Sequence, residues 1–379
     1  MRTLLVAAGG GGDAVGAMLI RRLIGQDPGQ PALVTTCAWE RLRIDPVPGP
    51  RSRGDFVGLR SIAGTRAEVA PTSDTLPAGR SVLPRLAGDI DARLFVHDFA
   101  GGAVGLSDQL RYLAEALNAD SLIVVDVGGD VVARGDEPGL LSPLADSLTL
   151  AASIKTGLPV QVAVLGPGVD GELTADEVTQ ILASLHAERV GPITPEDVEA
   201  LRDVLEWHPT EATTLVAASA IGHRGSVDMR RGLDPVPMTD DSSTVWLLDA
   251  SRIEDFPLAA ALAQTQSLPS AEHIMRKIAV DELDYERRRA AGKVAITSST
   301  SPSAVVQASL DLGASFITTR RLLEATNADC PHFEDARVDG LGLWSLPAIA
   351  AGAQSASVLP ETGNYARSRS SKRSDLGQP

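Results

Sequence analysis

Residues 122–148, LIVVDVGGDVVARGDEPGLLSPLADSL, constrain the fold more than any other stretch. An apolar run of strand type, Leu122 to Val125, stops at Asp126. Gly128, Gly129 and Asp130 follow, then a polar loop with Arg134, Asp136 and Glu137. Ser142 and Pro143 open a segment with helical apolar periodicity. A strand that ends in an acid and glycines sets carboxylates beside permissive backbone at a sheet edge, facing a crevice. Carboxylates in that position suit a hard cation or a proton transfer.

The same strand–loop–helix unit recurs. Residues 3–8, 32–38, 93–97 and 160–165 read as strands, and 13–23, 106–117 and 143–155 as helices. Thr174 and Glu177 have capping-box spacing and start a further helix. This alternation over residues 1–190 predicts an α/β fold: an open, doubly wound, mostly parallel sheet with helices on both faces, Rossmann-like. The chain is 44% hydrophobic but only 3% aromatic, so its core must be aliphatic, which suits strands buried on both faces. Residues 45–90 are rich in Pro, Gly, Ser and Arg and predict a long excursion with little regular structure beyond a short strand near Phe56. Further on, 195–205 and 210–220 predict helices, Val227 and 245–248 short strands, 271–291 a charged helix and 293–297 a last strand. The expected organisation is a single α/β domain over 1–354, with a core sheet in 1–190 and helical and strand additions in 191–354. The Ser/Arg-rich residues 355–379 are expected to be a disordered tail.

A formal net charge of -15 repels phosphate backbones and anionic membrane, which argues against nucleic-acid and membrane partners. No apolar run approaches the roughly 18 residues of a membrane span. The short apolar run at the N-terminus ends in glycines and Asp13, so it reads as a buried first strand rather than a signal peptide. Cys37 and Cys330 lack metal-ligand spacing and fit reduced thiols in a cytoplasmic protein. The apolar faces suit either a core or the contacts of a homo-oligomer.

Several loops carry candidate chemistry. Gly9, Gly10, Gly11 and Gly12 lie between a strand and a helix, where amides and the helix dipole favour an anion such as a cofactor phosphate. Gly9, Gly11 and Ala14 fit the relaxed G-x-G-x-x-A dinucleotide pattern, with Glu40 as a late ribose acid. A tight turn explains the glycines equally well, and Asp13 either repels a phosphate or caps the helix. Asp126 and Asp130 offer oxygen ligands for Mg²⁺ or Mn²⁺, or a general base beside Arg134. Gly128, Gly129 and Glu137 are candidate substrate contacts around them, while Asp146 reads as a surface or first-turn acid. Asp170 and Glu172 follow Gly166 and Gly168 and would share the same sheet edge. His97 ends another strand and is a candidate proton carrier or a structural histidine. His223, Arg224, Arg230 and Arg231 form a basic cluster that could close over a carboxylate or phosphate, or pair with surface acids. Trp39, Glu40 and Arg41 begin a Pro-stiffened loop that could line a pocket, and Asp284, Tyr285 and Glu286 fit either a site or a helix surface.

Taken together, AAGGGGDAVGA, AWERLRIDPVPGPR, VDVGGDVVARGDEPGLLSPLADSL, LGPGVDGEL, GHRGSVDMRRG and DELDYE resemble the domain of unknown function 1152 family. The resemblance covers nearly the whole chain except the tail, and it implies a fold but little chemistry. Gly128-Gly129-Asp130 is also locally similar to the motif of D-glutamate cyclases, which use a divalent metal. This chain has Asp where the cyclases have Asn and Glu, so only a metal-assisted site for a small acid carries across.

The expected function is an enzyme acting on a small anionic metabolite by a metal-assisted lyase- or hydrolase-type step, in a pocket at the C-terminal edge of the sheet. Asp126 and Asp130 would hold Mg²⁺ or Mn²⁺ or act as base, with His97 as proton carrier. The competing expectations are a nucleotide-binding protein without catalysis and a transferase using a nucleoside cofactor such as S-adenosylmethionine.

Overall fold

The structure is a computed structural model, and it describes residues 2–27, 29–76, 79–230, 234–292, 301–326 and 336–356. In chain order, β1 (Thr3–Ala7), α1 (Gly11–Leu19) and β2 (Ala32–Cys37) come first. An excursion of short strands follows: β3 (Phe56–Val57), β4 (Arg60–Ile62), β5 (Thr65–Glu68) and β6 (Asp74–Thr75). Then come α2 (Leu83–Asp89), β7 (Ala92–His97), α3 (Gly102–Leu117), β8 (Ser121–Val127), α4 (Leu144–Lys155), β9 (Val160–Leu165), α5 (Ala175–Ser184) and β10 (Glu188–Pro192). Three helices, α6 (Pro195–Glu199), α7 (Arg202–Trp207) and α8 (Ala212–Ala220), precede β11 (Gly225–Asp228), β12 (Val236–Met238) and β13 (Thr244–Asp249). The last described stretch holds α9 (Pro257–Leu262), α10 (Leu268–Ile278), α11 (Glu282–Ala290), α12 (Pro302–Asp311), β14 (Phe316–Thr318), α13 (Thr319–Thr326), β15 (Leu343–Ser345) and α14 (Leu346–Ala356).

The main sheet has nine strands in the order β10-β13-β9-β8-β1-β2-β7-β5-β4. Its centre, β9-β8-β1-β2-β7, is parallel throughout, and antiparallel strands extend it on both sides. The expected mostly parallel α/β sheet is therefore present. Parallel strands need covering on both faces, and successive side chains of β1 go to opposite layers. Leu4 and Val6 join one apolar layer with Leu110 of α3 and Leu148 of α4. Leu5 and Ala7 join the other with Val15 of α1 and Val216 of α8. Full burial of one such Leu or Val contributes about 1.5–3 kcal/mol, and an aliphatic core needs many of them. A separate sheet, β12-β11-β14-β15, takes in Val227, which the sequence pattern alone could not assign to a sheet.

Some segments depart from expectation. The excursion is more ordered than its composition suggests: β3 forms at Phe56, and β4 and β5 continue the main sheet. The helix expected over 195–205 is broken at Leu201, whose φ of -120° lies outside helical geometry. The one expected over 271–291 is broken at Ala279 (φ -152°, ψ -109°), after which the Asp281 side chain caps α11 through the Asp284 amide. The strand expected over 293–297 lies outside the described residues. So does most of the expected tail, and α14 runs to Ala356 across its proposed start. No helix among the described residues is long and apolar enough to cross a membrane.

Gly128 shows how tightly the strand ends are joined. Its φ is +129°, and a Cβ there would come within 2.3 Å of Asp170 Cγ. Gly128→Ala is therefore expected to destabilise the protein by about 2–4 kcal/mol through backbone strain and overpacking. A urea denaturation midpoint equal to wild type would contradict that.

Candidate functional site

The order of the parallel strands reverses between β1 and β8. Connections on the two sides of that point leave toward opposite faces, which opens a crevice beyond the carboxyl ends of the strands. β1 delivers the glycine loop, and Gly10 (φ 119°) is the residue from which α1 starts. β8 delivers Asp126, in register with Val164 of β9, and then Asp130 in a single 3₁₀ turn. The loop after β9 delivers Asp170 and Glu172, and the first turn of α4 delivers Asp146.

These acids converge. One oxygen from each of Asp13, Asp126 and Asp146 lies within 4.8 Å of the others, and the same holds for Asp130, Asp170 and Glu172. Asp126 is 2% exposed and Asp146 3%, and an oxygen of each has no hydrogen-bond partner among the described residues. Asp13 differs, because its Oδ2 accepts the Gly9 amide at 2.6 Å.

Burial is the main electrostatic cost, and mutual repulsion adds to it. Burial pushes the Asp13 carboxyl up to about 7, against hydrogen bonds from the backbone at Gly9 and Val127. Burial and then the charges of Asp13 and Asp170 hold Asp126 well above the usual carboxylate range. Burial with Asp126 and Asp13 does the same to Asp146, and burial with Asp146 and Asp126 to Asp130. Asp170 rises to about 7 through burial and Glu172, with Arg230 opposing.

Three arginines share the cleft with the acids: Arg41, Arg230 and Arg320. Arg230 donates to Glu172 Oε1 at 2.6 Å, while its Nη1 is buried without a partner among the described residues. Glu172 in turn accepts the amides of Leu141 and Ser142, at 2.7 and 2.8 Å, and the Ser142 hydroxyl. Arg320 pairs with Glu211, and Arg41 lies 4.0 Å from Glu282. Glu282 is pushed up to about 8 by burial, with Arg41 opposing. The cleft holds ≈ 980 Å³ of empty space, its open mouth included, which admits a small metabolite.

Of the residues singled out in the sequence, Gly9, Gly11, Gly12, Asp13, Glu40, Arg41, Asp126, Asp130 and Asp170 line this cleft together. Glu40 also caps the start of α2, accepting from the Val82 amide at 2.9 Å and the Ser81 hydroxyl at 3.0 Å. Gly128 and Gly129 serve packing behind the acids, against Asp170 and Val178. Glu137 accepts its own loop's amides at Arg134 and Gly135. His97 sits two strands away from β1, bonded through Nδ1 to Thr35 at 3.1 Å, and burial lowers it to about 3, so it stays neutral. His223 and Arg224 pair with Asp339 and Asp240 outside the cleft, and among the described residues of that basic cluster Arg230 enters it. Arg231 lies outside the described residues.

Asp146, read in the sequence as a surface or first-turn acid, is instead buried in the cleft, and His208, Glu211, Glu282 and Arg320, which sequence reasoning passed over, line it too. For Asp146 a signal existed, since it opens the helix that follows the Asp126 loop. For Arg320, on α13, no local pattern points to the site.

Neither the curated proteins nor the solved structures yield a match to this chain. A family model described as Protein of unknown function (DUF1152) matches residues 4–290, which contain every acid of both carboxylate groups. That span is well over half of the 379 residues, and the chain belongs to this family.

Proposed function

We propose that the protein is an enzyme that uses a divalent cation, Mg²⁺ or Mn²⁺, to act on a small anionic metabolite in a lyase- or hydrolase-type step. The convergence of Asp13, Asp126 and Asp146 within 4.8 Å, with orphaned buried oxygens on two of them, carries this reading. Oxygens on opposite sides of a hard cation at about 2.1–2.5 Å lie about 4–5 Å apart, so the spacing fits one ion's shell. An all-carboxylate donor set suits hard cations such as Mg²⁺ and Mn²⁺. A bound cation would relieve the repulsion among these acids, polarise a substrate oxygen and lower the pKa of water.

Arg41, Arg230 and Arg320 supply the opposite charge for the substrate's anionic group. Asp170, which burial and Glu172 raise in the metal-free protein, lies beside the acids as a group that can exchange a proton with the substrate, and takes the role first assigned to His97. A dinucleotide or nucleoside cofactor is less well supported. The Gly9 amide, which a phosphate would need, is already donated to Asp13.

Calorimetric titration of chelator-treated protein with Mn²⁺ tests the reading. Saturable binding is expected, with a rise in melting temperature of the size mass action gives. Small dicarboxylates and sugar phosphates should raise it further only when the cation is present. Absence of Mn²⁺ and Mg²⁺ binding would overturn the proposal.

A further inference from the structure

A second cavity adjoins the acidic cleft. It is walled by Ile44, Trp207, Pro209 and Leu323, and its empty space is ≈ 590 Å³. His208, Thr210, Glu211 and Arg320 line both spaces, so the two meet across these residues. The cleft itself is built of charges. The annexe offers mainly carbon, and nothing in a metal-and-anion site explains why such a wall should stand there.

His208 stands at the seam. It follows α7 and precedes Pro209, which holds it in extended backbone (φ -71°, ψ 132°). Its Nδ1 accepts the Thr210 amide at 3.2 Å, so in the neutral ring the proton sits on Nε2. Burial lowers the ring to about 3, which keeps it neutral near pH 7. Only 4% of His208 is exposed, and its Nε2 has no partner among the described residues. A Cβ on Gly11 would come within 3.2 Å of that nitrogen, so the glycine keeps the space before it open. A buried N–H donor without an acceptor is costly unless a ligand supplies one.

We propose that the ligand is an anion bearing an apolar group about the size of an aryl ring, and that His208 Nε2–H binds an acceptor atom at the junction of the two parts. The inference rests on the metal-site reading and extends it. The anionic end lies with the carboxylate-bound cation and the arginines, and the ring lies against Trp207, Ile44 and Leu323. His208 is a specificity residue that donates one hydrogen bond.

The test compares phenyl phosphate with inorganic phosphate by calorimetry on the full chain, after a titration with Mn²⁺ alone. Phenyl phosphate should bind about 10- to 100-fold more tightly, from the apolar area the ring buries. Gly342→Leu should erase that preference and leave Mn²⁺ affinity unchanged. Gly342 lines only the apolar cavity, and a Cβ there meets nothing closer than 3.6 Å, so the variant should fold. His208→Phe should weaken both anions about 10-fold, and His208→Gln, which returns an N–H donor, should recover most of that loss. A rescue by Gln separates a bound hydrogen bond from mere packing. Mn²⁺ binding with equal affinity for the two anions overturns this inference alone, as does a Gly342→Leu variant that keeps the preference. No Mn²⁺ binding overturns the metal-site reading and this inference with it.

Discussion

Asp126→Asn is expected to stabilise the metal-free protein and to abolish its response to Mn²⁺. Asp126 is 2% exposed, one of its oxygens has no partner among the described residues, and Asp13 and Asp170 both repel its charge. An amide of the same shape is neutral without taking up a proton, so it escapes both that repulsion and the cost of protonation. Near neutral pH the gain without metal should be on the order of 1–4 kcal/mol, because keeping the wild-type carboxyl protonated costs about 1.4 kcal/mol for each pH unit above its ordinary value. The cost should fall on the cation, whose affinity is expected to drop by more than about 100-fold, beyond the effect of losing an outer-shell partner. Melting curves of wild type and variant, each with and without Mn²⁺, read both effects at once. A variant that is less stable than wild type and still gains from Mn²⁺ would show that Asp126 is held by its surroundings as an ordinary structural carboxylate.

Stability of the metal-free protein should fall as pH rises from about 4 to about 8, because the raised acids of the cleft outnumber His97 and His208, whose lowered values act the other way up to about pH 6.5. Ordinary values are 3.8 for Asp13 and Asp170 and 4.5 for Glu282, and the fold raises them to about 7, about 7 and about 8. Between those limits the native state holds protons that the unfolded chain has released. Each such group therefore contributes stability that is complete below its unfolded pKa and is lost as pH climbs through its folded one. A single fully differential proton changes stability by about 1.4 kcal/mol per pH unit. Asp126, Asp130 and Asp146 act in the same direction and extend the fall to higher pH. Saturating Mn²⁺ should cancel or reverse the slope, because the cation takes the place of protons and binds better as they leave. A metal-free melting temperature that is flat or rising over this window would contradict the electrostatic account of the cleft.

The sequence made the parallel centre of the sheet legible because β1 and β8 carry the aliphatic runs LLVA and LIVV, each followed within a few residues by glycines. It hid β10, whose residues ERVGP show no apolar alternation, lie exposed or half-buried and make an edge strand with a shifted register at Gly191. The helix breaks at Leu201 and Ala279 were equally hidden, since neither position is itself a Gly or Pro. Within the site, Asp126, Asp130 and Asp170 were readable because they punctuate strand ends, where the chain must turn beside its neighbours. Asp146 looked like one more acid in a helix's first turn, a favourable place near any helix dipole. His97 was attractive for the same strand-end reason, but β2 lies between its strand and β1. His208 and Arg320 come from helical and C-terminal segments, and their meeting with the glycine loop is a product of tertiary packing alone.

The position of Arg320 also divides labour along the chain. Every acid of the two carboxylate groups falls within residues 4–290, whereas this arginine comes from a later segment with its own sheet strands and apolar cluster. Leu323, on the same helix, walls the neighbouring cavity. The acids that would hold the cation thus come from one stretch, while the walls that would meet the ligand draw on both: Ile44, Trp207 and His208 from within it, Arg320 and Leu323 from beyond it. On that layout, exchanges at Leu323 or Gly342 would reshape the neighbouring cavity while leaving every acid of the two carboxylate groups in place.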